Sequence, residues 1–504
     1  MLSDIRNGVS IGRPPATTVI ESKNWPSALQ FREQVSEVIR ADLAAGKLLG
    51  PFVTPPFSSY IVSPLGAFLK RDGRKIRLIH DLSYPSEGSV NASIDPESYS
   101  LQYSSVDSAV AACRSLPAPY LSNIDLKDAY KAVGVAGGDW HLLGLKWSLP
   151  GEPGDYYFSK VLSFGLRSAP ALFDRVAEAL ERIMALRGVS GTIIRYVDDF
   201  LLVGGSAESV GADLSAAVET ARLAGFTIQS SKVTPPCRSL EFLGIVIDLD
   251  AGVLKISDER LEEVRGILAE CSSLRVVSKR RLLKVIGKLA FAARVVRTGR
   301  AFLGRLIGLA KTAKALHHRV RLSPAAKADL AWWSSCIQSH NGTAILDVDW
   351  SSGPVHHIFT DASDHGYGGV FGDQWLAMVY SGDGARPRDF SINWRELHAA
   401  LKALATWAPD LANSKVIFHI DNQATCHILN KYYTPVPELM ELVRAWCLLV
   451  EKHTISVAIV YINTKDNVLA DALSRGDFST FYQNHGGTPS RVWPSPVSYF
   501  AETV

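Results

Sequence analysis

The stretch Arg195-Tyr-Val-Asp-Asp-Phe-Leu-Leu-Val-Gly204 places two adjacent carboxylates between two runs of residues that favour β-strands. Such runs belong in a protein interior, where an unpaired carboxylate is costly to bury. Asp198 and Asp199 must therefore lie at an exposed turn or be neutralised by a cation. A hairpin over residues 193–203 puts both near its tip, and the pair alone is typical of an ordinary hairpin turn.

A third carboxylate, Asp125, ends the apolar run that begins at Leu121. If this strand neighbours the hairpin, the three carboxylates meet at one edge of a sheet. Clustered carboxylates repel one another unless hard divalent cations neutralise them, and Mg²⁺ takes oxygen ligands of this kind. Two such ions can activate an attacking oxygen and stabilise a leaving oxygen in phosphoryl transfer.

Four segments in order resemble the successive motifs of reverse transcriptases. They are Ile124-Asp-Leu-Lys-Asp-Ala-Tyr130, Leu162-Ser-Phe-Gly-Leu-Arg-Ser-Ala-Pro170, Tyr196-Val-Asp-Asp199 and Leu240-Glu-Phe-Leu-Gly244. The resemblance implies an α+β multidomain fold, a right-hand polymerase with fingers, palm and helical thumb. It also implies that Asp125, Asp198 and Asp199 are catalytic residues and ligands of two Mg²⁺ ions, with Mn²⁺ as a substitute. The expected partners are an RNA template, a DNA primer and deoxynucleoside triphosphates.

The same resemblance assigns residues that would bind the nucleotide. The segment Phe68 to Asp81 is similar to the fingers of these enzymes, where Lys70 or Arg71 and Arg77 match the residues that hold the triphosphate. Their charge suits that role, although a basic hairpin is also a common solvated turn. Tyr130 matches the aromatic gate that excludes a ribose 2′-hydroxyl, and on sequence grounds it is equally a core tyrosine.

Five further residues belong to the expected substrate site. The motifs contain four of them: Asp128, Ala129, Phe164 and Gly165. Phe164 stands where retroviral enzymes carry Gln, which indicates a retrotransposon relative. Lys232 matches a lysine proposed to protonate the departing pyrophosphate, and a surface lysine remains the alternative.

A basic block follows the motifs. Residues 275–321 contain fourteen Lys or Arg residues and no Asp or Glu, and apolar residues recur in the block at helical intervals. This pattern favours packed helices with a cationic face that binds a polyanion, because a merely solvated face usually mixes both signs. The block resembles the thumb and connection of reverse transcriptases. Residues 283–303 are particularly similar to DIRS-like retroelements, the tyrosine-recombinase group related to gypsy-like elements.

A second acidic set lies in the C-terminal part of the chain, at the ends of predicted elements. It comprises Asp361, Glu396, Asp421 and Asp471. Beyond residue 347 the pattern predicts a compact α/β unit with the order strand-strand-strand-helix-strand-helix-helix-strand-helix. Each acid alone is of a kind that is usually solvated.

The element order and the four acids together resemble ribonuclease H. The resemblance implies that the four acids are catalytic, hold two Mg²⁺ ions and direct water at the RNA strand of an RNA–DNA hybrid. One departure is that the segment Tyr461-Ile-Asn-Thr-Lys-Asp-Asn467 lacks the histidine that many relatives carry before the final Asp. Product release then relies on other groups, or cleavage is slow.

Length and composition indicate how the chain is divided into domains. The chain has 504 residues, 47% of them hydrophobic, which indicates several globular domains. The predicted domains are an N-terminal extension (1–50), fingers and palm (51–255), a basic helical thumb and connection (256–346), an α/β ribonuclease H-like domain (347–480) and a tail (481–504). Residues Pro26 to Leu49 are predicted to form a helix that ends at Gly50-Pro51.

Other features concern the compartment and competing functions. Six scattered cysteines without a C-x-x-C pair, and no apolar run of transmembrane length, predict an intracellular protein, cytoplasmic or nuclear, without a membrane partner.

The principal hypothesis is a retroelement reverse transcriptase with ribonuclease H. The alternatives are a domesticated nucleic-acid-binding protein that has lost synthesis, and an enzyme that retains one activity.

Overall fold

The computed structural model describes residues 6–16, 18–69, 75–340, 343–345, 354–379 and 389–485. The chain forms two compact units, residues 1–240 and residues 241–504. The finer boundaries predicted from sequence stay predictions.

The first unit contains five α-helices and eleven strands among its described residues. The helices are α1 (Pro26–Gln30), α2 (Arg32–Ala44), α3 (Val106–Arg114), α4 (Ala169–Leu186) and α5 (Ala207–Leu223). The strands are β1 (Ile20–Glu21), β2 (Leu48–Phe52), β3 (Ile61–Val62), β4 (Leu65–Leu69), β5 (Ile76–His80), β6 (Tyr120–Asp125), β7 (Gly144–Lys146), β8 (Tyr156–Ser159), β9 (Thr192–Tyr196), β10 (Asp199–Gly204) and β11 (Thr234–Cys237).

A four-stranded sheet with the order β11-β6-β10-β9 lies at the centre of this unit. Its middle strand β10 is almost wholly apolar, and Phe200 and Leu201 are fully buried. Helices α4 and α5 contact each other, and α5 lies against β6 and β10. Phe173 of α4 belongs to the same buried cluster as Phe200. The sheet and its helices therefore hold the ends of β6 and β10 rigidly.

The segment before residue 52 packs into this unit. Val9 and Ile11 are buried in its main apolar cluster, and Val9 forms a parallel bridge with Val135. The predicted helix over Pro26 to Leu49 is wrong at its end, because α2 stops at Ala44 and β2 begins at Leu48. Gly46, with φ +68°, provides the turn between them.

The second unit begins with short strands and the helices of the basic block. Its first strands are β12 (Ser239–Phe242), β13 (Ile245–Asp248), β14 (Val253–Ile256), β15 (Val276–Ser278), β16 (Arg319–Arg321) and β17 (Thr343–Ile345). Its first helices are α6 (Asp258–Ser272), α7 (Lys279–Ala292), α8 (Gly304–Lys311) and α9 (Pro324–His340). Helix α7 buries Leu282, Val285 and Leu289 and exposes Arg280 and Lys284. The predicted packed helices with a cationic face are therefore present.

The rest of this unit is a five-stranded sheet with helices, whose elements follow the predicted order and end in one helix, Phe478–His485, that was not predicted. Its strands are β18 (Val355–Ala362), β19 (Gly366–Phe371), β20 (Gln374–Val379), β21 (Lys415–Ile420) and β22 (Ser456–Tyr461), arranged as β20-β19-β18-β21-β22. Its helices are α10 (Ile392–Trp407), α11 (Gln423–Lys431), α12 (Pro437–Lys452), α13 (Val468–Arg475) and α14 (Phe478–His485). Phe481, at the start of the predicted tail, is fully buried beside Trp375.

Candidate functional site

Three carboxylates meet at one end of the central sheet in the first unit. Asp125 ends β6 and lies directly opposite Asp199, the first residue of β10, in the antiparallel register. Asp198 occupies the turn between β9 and β10, and its carbonyl accepts a hydrogen bond from the backbone N–H of Leu126 at 3.0 Å. The structure therefore brings together the three acids that the sequence placed at one sheet edge.

Burial and mutual repulsion alter the protonation of this cluster. The pKa of Asp199 is raised to about 7, first by burial and then by the charges of Asp198 and Asp125. Burial also raises the pKa of Asp198. The Lys232 ammonium donates to Asp125 Oδ2 at 2.6 Å, and this bond raises the pKa of the lysine. One cation thus already offsets part of the negative charge.

An open cleft of about 900 Å³ adjoins the acids. Most of the predicted substrate residues line it: Arg77, Asp128, Ala129, Tyr130, Phe164 and Lys232. Lys75 is a further basic residue of the wall. Lys70 and Arg71 lie outside the described residues. The cleft therefore combines acids with basic side chains, as a phosphate-bearing ligand beside metal ions requires.

Gly165 has a structural role next to this cleft. Its φ is +107°, and a Cβ at this position would lie 2.4 Å from the carbonyl oxygen of His80. Its own carbonyl accepts a hydrogen bond from Asn91 Nδ2 at 2.7 Å. A side chain cannot be accommodated there without moving the backbone.

Tyr130 forms an aromatic wall of the cleft. Its ring centroid lies 5.0 Å from that of Phe164 and 5.5 Å from that of Phe173. Burial raises the pKa of the Tyr130 hydroxyl to about 12, so the side chain is neutral at physiological pH. The ring therefore packs on the core and also lines the cleft, and its role as a gate against the ribose 2′-hydroxyl stays a prediction.

A second acidic cluster lies in the second unit. Asp361 of β18, Glu396 of α10 and Asp421, which follows β21, place carboxylate oxygens within 4.8 Å of one another. Asp361 and Glu396 are each 4% exposed. Burial, followed by the charges of the neighbouring acids, raises the pKa of Glu396 to about 9. Burial is also the first cause that raises the pKa of Asp361 to about 7.

Three oxygens of this cluster are unsatisfied. Asp361 Oδ2, Glu396 Oε2 and Asp421 Oδ1 are buried and have no hydrogen-bond partner. Buried acceptors are normally paired, and converging carboxylate oxygens suit a hard divalent cation. The residues present therefore fit a metal ion at this position.

The fourth predicted acid lies near these three but has a different partner. Asp471 of α13 accepts from the Arg475 guanidinium at 2.8 Å, and its charge contributes to the raised pKa of Asp361. Asn467, buried before α13, donates from Nδ2 to the Thr360 carbonyl at 3.0 Å. This bond fixes the start of α13 next to Asp361.

Two arginines at these sites were missed from sequence. Arg475 lies one helical turn after Asp471, and that spacing was a usable signal. Arg195 pairs with Asp174 and Glu181, which lie seven residues apart and therefore on one face of α4. No local pattern indicates that β9 and α4 are neighbours.

Comparison with known proteins identifies part of the chain. Residues 77–247 match the family described as reverse transcriptase (RNA-dependent DNA polymerase). The chain therefore carries a reverse transcriptase domain there, and the resemblance noted in the motifs is confirmed. Divalent metal ions are the general cofactors of this family.

Longer relatives extend the similarity along the chain. The retrovirus-related Pol polyprotein from transposon opus of Drosophila melanogaster is 21% identical over 486 residues, which cover 90% of this chain and 43% of that protein. The Gag-Pol polyprotein of Rous sarcoma virus subgroup C (strain Prague) is 25% identical over 224 residues, which cover 44% of this chain and 13% of the relative. The chain thus spans less than half of these curated relatives. The DIRS-like or gypsy-like subgroup stays a prediction.

Solved structures support the fold. The foamy viral protease-reverse transcriptase in complex with dsDNA aligns with a TM-score of 0.54 at 19% identity, covering 90% of this chain and 87% of that chain. The same viral protein in complex with an RNA/DNA hybrid aligns with a TM-score of 0.51 at 17% identity, covering 90% and 56%. The predicted fold class, a polymerase followed by a ribonuclease H-like domain, is confirmed.

Within the described part of the chain, no helix combines the length and apolar character needed to cross a bilayer.

Proposed function

We propose that this chain is the RNA-directed DNA polymerase of a retroelement and that its second acidic cluster cleaves the RNA strand of RNA–DNA hybrids. The observation that carries the proposal is the convergence of Asp125, Asp198 and Asp199 at one sheet edge, inside the region that matches the reverse transcriptase family. Its partners are an RNA template, a DNA primer, the hybrid and deoxynucleoside triphosphates.

Mg²⁺ is the proposed cofactor of both clusters, with Mn²⁺ as a substitute. The three acids of the first cluster would hold it at the polymerase site, and Asp361, Glu396, Asp421 and Asp471 at the ribonuclease site. When bound, the ions lower the charge of the cluster and stabilise the attacking and leaving oxygens of the phosphoryl group. The unsatisfied oxygens of the second cluster support this assignment.

The residues of the cleft have distinct tasks in synthesis. Arg77 lines the cleft close enough for its charge to counter the raised pKa of Asp198, so it suits a triphosphate lying between basic wall and acids. Lys232 is protonated beside Asp125 and is the proposed donor of a proton to the leaving pyrophosphate. Tyr130 closes the cleft with its ring and would contact the sugar of the nucleotide.

In hybrid cleavage, the protein positions the acids and the strand. Asn467 holds the start of α13 against β18, and Arg475 supplies positive charge beside Asp471. An exposed guanidinium at this position can contact a phosphate of the RNA strand. Arg475 could therefore assist product release, the step for which many relatives use the loop histidine that this chain lacks.

The decisive experiment is extension of a DNA primer on an RNA template with Mg²⁺, comparing the native chain with Asp198→Asn and Asp421→Asn. Asp198→Asn is expected to abolish extension and retain cleavage of the hybrid, and Asp421→Asn the reverse. Because each variant is expected to keep one of the two activities, the retained activity shows that the protein is folded. A native chain that binds the hybrid without extending it would favour the domesticated nucleic-acid-binding protein.

A further inference from the structure

Arg195 lies three residues before Asp198, on strand β9 at the edge of the central sheet. Strand β9 is the last strand of its sheet, and among the residues that the structure describes it pairs only with β10. The turn that follows contains Val197 at φ +56°, a region that β-branched residues rarely adopt. Such a residue is strained, and the surrounding structure must hold it in place.

The Arg195 side chain makes two ion pairs with α4. Its Nη1 donates to Asp174 Oδ1 at 2.7 Å, and its Nε donates to Glu181. The side chain is 17% exposed, so these bonds are partly shielded from water. Because Asp174 and Glu181 lie two turns apart on one helix face, the guanidinium fixes both the position of β9 along α4 and its distance from that helix.

Helix α4 also contacts Tyr130, which lines the cleft. Phe173, the residue before Asp174, packs its ring against Tyr130. Two consecutive residues of α4 therefore contact the aromatic wall and the arginine that precedes the acids. This arrangement connects the position of the nucleotide wall to the position of the carboxylates.

We propose that Arg195, with Asp174 and Glu181, is a positioning clamp that holds Asp198 and Asp199 in register with Asp125. The inference rests on the proposed polymerase function. Arg195 pairs with α4, so it acts through the hairpin. A displacement of about 1 Å at reacting groups can cost about a hundredfold in rate. The clamp is therefore expected to affect the chemical step and metal affinity more than nucleotide binding.

Arg195→Gln in the full chain tests the clamp by single-nucleotide incorporation. We expect kcat to fall at least about tenfold with the KM for the nucleotide within about twofold of native. Arg195→Lys should recover part of the loss, since it keeps one charged bond. Arg182→Gln is the matched control, because Arg182 is an exposed arginine of the same region that pairs with Glu178. Hybrid cleavage by the same proteins should be unchanged.

Metal binding gives a readout independent of turnover. With the second cluster disabled by Glu396→Gln, Mn²⁺ binding followed by electron paramagnetic resonance should weaken several-fold on adding Arg195→Gln. If Arg195→Gln fails to fold, Asp174→Asn and Glu181→Gln can replace it, because each removes one of the two ion pairs of Arg195. Each should lower kcat and Mn²⁺ affinity by less than Arg195→Gln is expected to.

Three results would overturn the clamp. One is a native kcat in Arg195→Gln. Another is an equal loss of extension and hybrid cleavage together with a lower melting temperature. That result would mean that the ion pairs only stabilise the fold. A native chain that does not extend a primer would overturn the proposed function, and the clamp with it.

Discussion

Glu396 stays protonated in the folded, metal-free chain at neutral pH, because burial and neighbouring acids raise its pKa to about 9. The unfolded chain releases this proton near the ordinary value of 4.5. A carboxyl whose pKa is raised by folding contributes stability that is lost as pH rises between those two values. The cluster therefore weakens the fold most at alkaline pH, unless a cation is bound.

Glu396→Gln is expected to stabilise the metal-free protein at pH 8 by on the order of a few kcal/mol, because Glu396 must take up a proton on folding whereas the amide is neutral in both states. The gain should shrink as pH approaches 5. Thermal unfolding in EDTA at both pH values measures it, with exposed Glu438→Gln as the control. A native chain as stable as the variant at pH 8 would contradict the assigned burial cost.

Tyr130 is expected to determine the sugar preference, since its ring forms the wall of the cleft. Tyr130→Ala should raise the kcat/KM for ribonucleotides relative to deoxynucleotides by at least about tenfold, as opening a shaped pocket does. Tyr130→Phe keeps the ring and should leave the ratio unchanged. Competitive incorporation of the two nucleotides measures this ratio, and equal ratios in the Ala variant and the native chain would assign the tyrosine to the core alone.

At the scale of elements, the short 3-10 helix Arg297–Phe302 depends on a glycine. A Cβ at Gly299 would lie 2.2 Å from the ring of Trp333, which is fully buried, so the ring could move only if its neighbours repacked. Gly299→Ala is therefore expected to destabilise the second unit by about 1–3 kcal/mol, the usual cost of overpacking. Urea unfolding followed by tryptophan fluorescence measures the change.

Gly287 of α7 is the matched control for Gly299. It is exposed, and a Cβ there meets nothing within 4 Å. Gly287→Ala should stabilise the helix by about 0.5–1 kcal/mol, because alanine loses less backbone entropy on folding. If both substitutions changed stability in the same direction, the close contact with Trp333 would not be the cause.

The sequence predicted the elements whose pattern is local and missed the contacts between distant elements. An aspartate at the end of an apolar strand marks Asp125, and the element order after residue 347 follows from periodicity and turns. The helix predicted to run to Leu49 failed because apolar Leu48 and Leu49 fit either structure, and pairing of β2 with β8 decided it. The Arg195 pairs link residues 21 and 14 positions apart, and only the fold reveals them.

At the scale of the whole molecule, the net charge of +3 conceals a concentrated basic surface. Arg280 and Lys284 lie one turn apart on the exposed face of α7, whereas Lys288 pairs with Glu263 of α6. Each phosphate contact by a free cation contributes about 0.7–0.9 to the slope of log affinity against log salt. The affinity of the chain for the RNA–DNA hybrid should therefore fall steeply as the salt concentration rises.

Lys284→Gln is expected to lower that slope by nearly one unit and to weaken binding on all sequences alike. Lys288→Gln should change the slope much less, because its charge is already paired. Fluorescence anisotropy of a labelled hybrid at several salt concentrations compares the two. Identical slopes in both variants and the native chain would exclude this face of α7 as the phosphate contact.

A buried ion pair joins two parts of the second unit that the sequence assigned to different domains. Arg444 of α12 donates to Asp329 Oδ1 of α9 at 2.6 Å, and both side chains are less than 10% exposed. Removing one partner of a buried pair leaves an uncompensated charge and costs about 3–5 kcal/mol, whereas replacing both by apolar residues is often neutral.

Arg305 lies 3.4 Å from the same Asp329 oxygen, so Arg444→Met leaves this carboxylate with one cation and should cost less than Asp329→Leu. Asp329→Leu leaves Arg444 buried without its partner and should destabilise the second unit strongly. The double variant should regain most of the loss, because Arg305 keeps its pair with Glu441. Urea unfolding of the full chain measures the three values as a double-mutant cycle. Additive losses would mean that the helices are held by other contacts. Recovery in the double variant would show that the two charges are coupled, so that removing α9 from the ribonuclease H segment would take away the buried partner of Arg444.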